Sequence, residues 1–184
     1  MTTAETTRSL DARMLEFLDK AELRELVNRY ARAVDRRDMD LLRSCYHPDA
    51  IDNHGVLFSG SAEEYIAWQP EIMNRFENSA HYIVNTLFAV DGDEAEGEVY
   101  FFGFHRMTEG EVRNEFIGGR YLDHYRRGED GRWRFGQRDL VWDWYENRPA
   151  ADEAMVFLRS LGDQGCGEVD VSKRILPLLE TLKR

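Results

Sequence analysis

Cysteine is almost missing from this chain, and basic residues are the minority charge. The only two cysteines in 184 residues, Cys45 and Cys166, lie far apart and fit no metal-ligand or redox spacing. They read as reduced thiols of a cytoplasmic protein. No segment approaches membrane-spanning length, and Met1 to Leu10 lacks the apolar centre of a signal peptide, so no membrane partner is expected. Lys and Arg number 24 against 35 Asp and Glu, giving a net charge of −11. A nucleic-acid partner is not expected, because a phosphate-binding surface needs local positive charge. Repeats, low-complexity tracts and domain linkers are absent too. What is present is 42% hydrophobic and 12% aromatic residues, enough for one domain with a real core and rings to wall an apolar pocket. A single domain over 1–184 is expected, with its core at about 10–148 and a helical extension over 149–184.

From Leu10 to Arg37 apolar residues recur at helical spacing: Met14, Leu15, Leu18, then Leu23, Leu26, Val27, Tyr30, Ala31 and Val34. Asp19, with Glu22 three positions on, predicts a cap that divides this stretch. Asp38 predicts the cap of a short helix through Leu41 and Leu42, ended by His47-Pro48. Residues 50–59 read as two short strands around a turn at Asn53-His54-Gly55, and Ser61 with Glu64 starts a further helix reaching toward Phe76. Four long β-prone runs follow, over 79–90, 95–108, 111–127 and 132–146, separated by turns at Asp91-Gly92-Asp93, Glu109-Gly110 and Gly128 to Gly131. Helices first and a meander afterwards is the α+β pattern, with helices on one face of a sheet. Gly103 and Gly118-Gly119 fall inside strands, where glycine marks a bend or bulge. A strongly bent sheet folded over helices makes a cone around a pocket. The tail is expected to hold a helix from Ala151 to Leu161, a Gly-rich link, and an amphipathic end from Ile175 to Leu182.

Asp35 closes the first helical stretch and His81 opens the first long β run. A carboxylate against an imidazole fixes its tautomer and raises its basicity, and the free nitrogen then abstracts a proton without a cofactor. The neutral alternative is a solvated Asp at a helix C-terminus, where the dipole disfavours negative charge, and a histidine that satisfies the core.

Several stretches together resemble a known family. These are Leu26 to Asp35, the run Tyr46-His47-Pro48-Asp49-Ala50, the run His81-Tyr82-Ile83-Val84-Asn85, and Gly131-Arg132-Trp133-Arg134-Phe135. The chain is similar over roughly 18–146 to the SnoaL-like branch of the nuclear transport factor 2-like superfamily, which includes scytalone dehydratase and hexachlorocyclohexane dehydrochlorinase. The resemblance implies a cone-shaped fold in which helices pack on a curved, mixed or antiparallel sheet enclosing a pocket. It implies that Asp35 and His81 form the proton-abstracting dyad, and that Arg138, five residues after Trp133, stabilises a leaving group or developing anion. Tyr30 stands where the dehydrochlorinase has a lysine, a departure that weighs against halide elimination. Tyr121 falls at an aromatic pocket position, and His105 matches the dehydratase's second histidine by strand counting. No metal or other cofactor is implied.

Alternation puts Val99, Phe101, Gly103 and His105 on one face of their strand, and Trp142 and Trp144 on one face with Arg138. Val99, Phe101, His105, Tyr121 and Trp142, with Tyr30, Tyr46, Trp68 and Asn85, are the expected substrate-contacting residues. His47 reads as structural, His54 as turn-forming, and only one of His124 and Tyr125 can face inward. His47, Asp49, Asp52 and His54 lack the strict spacing of a metal site. The activity expected is a cofactor-independent lyase, dehydratase-type or a related elimination or deformylation, on a small aromatic or polycyclic molecule. Its rivals are a ketosteroid-isomerase-like isomerase and a noncatalytic ligand-binding or assembly module, such as an oxygenase small subunit. Tyr121, Tyr125, Trp142, Trp144 and Tyr145 exceed what one cavity needs, so a homodimer or homotrimer is expected.

Overall fold

The computed structural model describes residues 9–107, 110–150, 156–157, 160–161 and 165–183. Helix α1, Leu10–Asp35, starts where the Ser9 hydroxyl accepts a bond from the Ala12 amide, and it runs unbroken through Asp19. The predicted cap at Asp19 is therefore corrected. Its carboxylate leaves the helix to take bonds from Arg127 at 2.7 Å and the Trp133 indole at 3.2 Å. Leu23, Leu26, Val27, Tyr30, Ala31, Ala33 and Val34 form the buried stripe of α1. Asp38 caps α2, Met39–Ser44. His47-Pro48 does not end that helix but lies in strand β1, Tyr46–Asn53. Proline is accommodated because the β1–β6 ladder is interrupted between Tyr46 and Ile51, so no ladder bond is lost at Pro48. Strand β2, Ser59–Ser61, leads into α3, Ala62–Met73, through the Ser61–Glu64 capping box. Phe76, expected in that helix, instead opens β3.

Strands β3, Phe76–Asp91, β4, Glu94–Met107, β5, Arg113–Arg127, and β6, Trp133–Pro149, form the meander. The predicted Glu109-Gly110 turn lies partly outside the described residues. The six strands are ordered β2-β1-β6-β5-β4-β3, with β1 parallel to β6 and the other pairs antiparallel. The result is a mixed α+β fold with N-terminal helices on a curved, unclosed sheet.

The meander has a register shift at Glu77 near the start of β3, and three further irregularities reset the alternation, as bulges do. One is at Val84–Asn85 in β3, one at Asp143 of β6 opposite Gly118-Gly119, and one at Gly136 of β6. Glycine is required at the second: a Cβ on Gly119 would stand 2.4 Å from the Val141 carbonyl oxygen. The core joins the α1 stripe, Tyr65, Ile66 and Met73 of α3, and inward residues such as Val99, Phe101, Tyr121 and Phe135. Beyond β6, most of the expected 151–161 helix lies outside the described residues. The later tail docks on the end of α1, where the Gly167 amide meets the Arg36 carbonyl at 2.9 Å and Arg32 meets the Ser172 hydroxyl at 3.0 Å. It includes one helical turn, α4, Ser172–Ile175.

Candidate functional site

Packing of α1 against β3 brings its last residue onto the strand. The His81 Nδ1–H donates to Asp35 Oδ1 at 2.7 Å, the His81 amide to Oδ2 at 2.8 Å, and the Ser79 hydroxyl to Oδ1 at 2.9 Å. Three donors thus offset the unfavourable helix dipole at Asp35. Burial raises the Asp35 carboxyl, but the charge of His81, its ring and backbone bonds, and Ser79 together hold it below the ordinary aspartate value. With Nδ1–H committed to a carboxylate, the lone pair of neutral His81 resides on Nε2. The side chains of His81 and Asp35 are 11% and 13% exposed, so the pair is sheltered without being sealed.

Phe101 and His105 border the His81 ring, at 6.1 and 5.3 Å between centroids. His105 is buried, stacks on Phe76 at 4.5 Å, and has neither ring nitrogen hydrogen-bonded among the described residues. Burial and then His81 push its pKa down to about 3, against a smaller opposing pull from Asp35. It is a neutral imidazole at ordinary pH. The Phe101 ring stacks in turn on Tyr121 at 4.5 Å, which links the dyad to a second cluster.

That second cluster is densely filled. Arg138 is 0% exposed, and its Nε and Nη2 both reach Asp123 at 2.8 Å. Its guanidinium lies 4.1 Å from the Tyr30 ring and 4.0 Å from those of Tyr121 and Phe135. The expected free cation is thus already neutralised by Asp123, and only Nη1 is left without a partner among the described residues. The Tyr30 hydroxyl meets that of Tyr65 at 2.7 Å, and the Tyr46 hydroxyl donates to Asp52 at 2.5 Å. Burial, followed by the charge of Asp52, pushes the Tyr30 and Tyr46 phenols up, so both remain protonated donors.

The remaining expected residues divide. Val99 is fully buried on the inner face, and Trp68 stacks on Phe58 at 5.4 Å beside Tyr65. Asn85 is exposed, because the bulge at Val84–Asn85 turns it out of the His81 and Ile83 face and restores the inward sequence at Thr86. Trp142 pairs with inward-facing Gly119 but is 42% exposed. Trp144 does not share the Arg138 face. The Asp143 bulge shifts it onto the outer face over Gly118 and against Phe102. Tyr125 is buried while His124 is exposed. The His47 ring bonds the Arg126 carbonyl and Asp49 bonds Arg126, so that apparent cluster disperses. Among the described residues, no group of three His, Cys, Asp or Glu side chains gathers to hold a metal.

Sequence reasoning missed Ser79, Tyr65, Asp123 and the bond of His54, which does form the turn after β1, to Asp52. Ser79 carried a signal, since it stands two residues from His81 on its own strand. The pairing of Asp123 with Arg138 rests on β5–β6 register and had none.

The model of the SnoaL-like domain family matches residues 15–139, and the chain belongs to that family. An uncharacterized protein of Mycobacterium tuberculosis is 31% identical over 134 residues, 70% of this chain and 90% of its own length. A candidate scytalone dehydratase from Novosphingobium aromaticivorans shares the fold at a TM-score of 0.66 and 17% identity, over 74% of this chain and 91% of its own. A type 3 hexachlorocyclohexane dehydrochlorinase from Novosphingobium barchaimii does so at 0.65 and 21%, over 74% and 92%.

Proposed function

We propose that the protein is a cofactor-independent lyase acting on a small aromatic or polycyclic molecule, and that His81 begins the reaction as base. The observation that carries this reading is the 2.7 Å bond from His81 Nδ1 to Asp35 Oδ1. Asp35 orients the ring, leaves Nε2 as proton acceptor, and stabilises the imidazolium that forms. Ser79 and the His81 amide hold the carboxylate still. Phe101, Tyr121 and Val99 supply the apolar walls, and the phenols of Tyr30 and Tyr46 the neighbouring polar groups. Arg138 supports the site's potential from within the core rather than gripping a departing group directly. The dehydratase and dehydrochlorinase neighbours favour elimination over isomerisation as the outcome.

The test uses 4-hydroxy-4-phenylbutan-2-one, an aromatic β-hydroxy ketone whose loss of water gives a strongly absorbing enone. Wild-type protein should form the enone, and His81→Ala should lower the rate by about two to four orders of magnitude, the usual weight of a general base. Undiminished enone formation by His81→Ala would remove this reading.

A further inference from the structure

A second carboxylate–imidazole pair stands in the same interior. We propose that His54, held by Asp52, is the general acid that protonates the departing oxygen while His81 removes the carbon-bound proton. The inference rests on the lyase reading above. Asp52 and His54 share one side of β1 and its continuation. Asp52 is 0% exposed, accepts from His54 Nδ1 at 2.6 Å through Oδ1, and accepts from the Tyr46 hydroxyl at 2.5 Å through Oδ2. The construction repeats that of Asp35 and His81: one imidazole nitrogen is fixed on a buried carboxylate and the other is left for chemistry.

The surroundings distinguish this pair from mere satisfaction of a buried charge, which the Tyr46 hydroxyl already begins to meet. The His54 ring lies nearly parallel to Tyr65 at 4.9 Å and 17°, against the interior aromatic wall, with its side chain 12% exposed. Tyr65 bonds Tyr30, and Tyr30 packs on Tyr121, whose ring stacks on Phe101 beside His81. A continuous series of ring contacts therefore links one pair to the other. Asp52 is also the register neighbour of Arg138, whose Nη1 is buried and unpartnered among the described residues. Arg138 thus adds positive potential beside Asp52 from within the core, and His54 is the donor that this end offers to the oxygen of a substrate. The chemistry fits a flat aromatic molecule with an acidic C–H on one carbon and a hydroxyl leaving group on the next.

The step balances. His81 Nε2 takes the proton α to the carbonyl, and that electron pair becomes the C=C bond. The C–O bond at the β-carbon breaks, and the oxygen leaves as water with the Nε2 proton of a His54 imidazolium, whose Nδ1–H stays on Asp52. His81 then loses a proton to solvent and His54 regains one.

The experiment compares two reactions on one carbon skeleton. Water loss from 4-hydroxy-4-phenylbutan-2-one needs base and acid, whereas deuterium exchange at the α-carbon of 4-phenylbutan-2-one in D2O needs the base. His54→Gln keeps an N–H for Asp52, so the buried carboxylate is not stranded, and His54→Ala serves as a second variant; melting by circular dichroism checks both folds. The ratio of elimination to exchange should fall at least about 100-fold in His54→Gln, the lower bound for a lost general acid. With acetate as leaving group, which departs without a proton, the defect should shrink to within about tenfold. An unchanged ratio overturns the assignment, and so does a parallel loss of both reactions in a folded variant. If wild-type protein performs neither reaction, or His81→Ala performs both, the lyase reading fails and this one with it. A defect confined to the ratio, with His81 still required, separates the two.

Discussion

His105 is held against its own chemistry. An imidazole with both nitrogens unpartnered in the interior forgoes the bonds it would make in water, a cost of about 1–3 kcal/mol for an unsatisfied polar group. Its native pKa of about 3 lies far below the ordinary histidine value. The native state therefore refuses a proton that the unfolded chain accepts. Its contribution to stability is fully present above about pH 6.5 and drains away as pH falls toward 3, by up to about 1.4 kcal/mol per pH unit. Asp35, held below its ordinary value, loses its contribution only at still more acidic pH than the start of that window. Urea unfolding of His105→Phe, measured from pH 7.5 to 4.5, should show a flatter pH dependence and stability at neutral pH at least equal to wild type. A variant as acid-sensitive as wild type would show that His105 is not the group responsible.

At the scale of elements, the Asp123–Arg138 pair pins β5 to β6, with β1 alongside through Asp52. Arg138→Ala would strand a buried carboxylate, and a destabilisation of about 3–5 kcal/mol is expected by denaturant unfolding. Replacing both partners, as Arg138→Met with Asp123→Leu, should return most of that loss. A single variant with wild-type stability would contradict this account of the pair. The elements themselves were largely legible in the sequence: the Asp38 and Ser61 caps, the glycine turns and four long runs place most of the helices and strands. Gly118-Gly119 marked one bulge, but neither which residue is extra there nor the bulge at Val84–Asn85 was legible. Asn85 was expected to contact substrate and strict alternation put Trp144 beside Arg138, and each error begins where one extra residue resets the face. That Asp35 and His81 lie near one another was suggested by the helix end at Asp35 and by the resemblance, whereas the start of β3 at Phe76 was not marked. The sealing of Arg138 was not, because it depends on cross-strand register.

The whole molecule leaves an aromatic surface uncovered on the convex side of the sheet. Phe102 lies between Tyr82, Phe116 and Trp144 at 5.7–6.4 Å, and Tyr82 and Trp144 are 58% and 47% exposed, whereas Tyr145 pairs with inward-facing Ile117 on the other face. Tyr121 and Tyr125, counted toward that density from sequence, point into the core instead. Large rings clustered in the open on one face are the kind of surface that marks an interaction site. A homodimer or homotrimer closing over it is expected in sedimentation velocity at micromolar concentration, and a monodisperse monomer would refute this. The account as a whole turns on proton abstraction by the Asp35–His81 pair, which deuterium uptake at the α-carbon of 4-phenylbutan-2-one in D2O reads without any leaving group. Wild-type protein should catalyse uptake, His81→Ala should lose about two to four orders of magnitude, and Asp35→Asn should lose nearly as much while keeping its fold. Uptake at the wild-type rate in either variant would contradict the dyad.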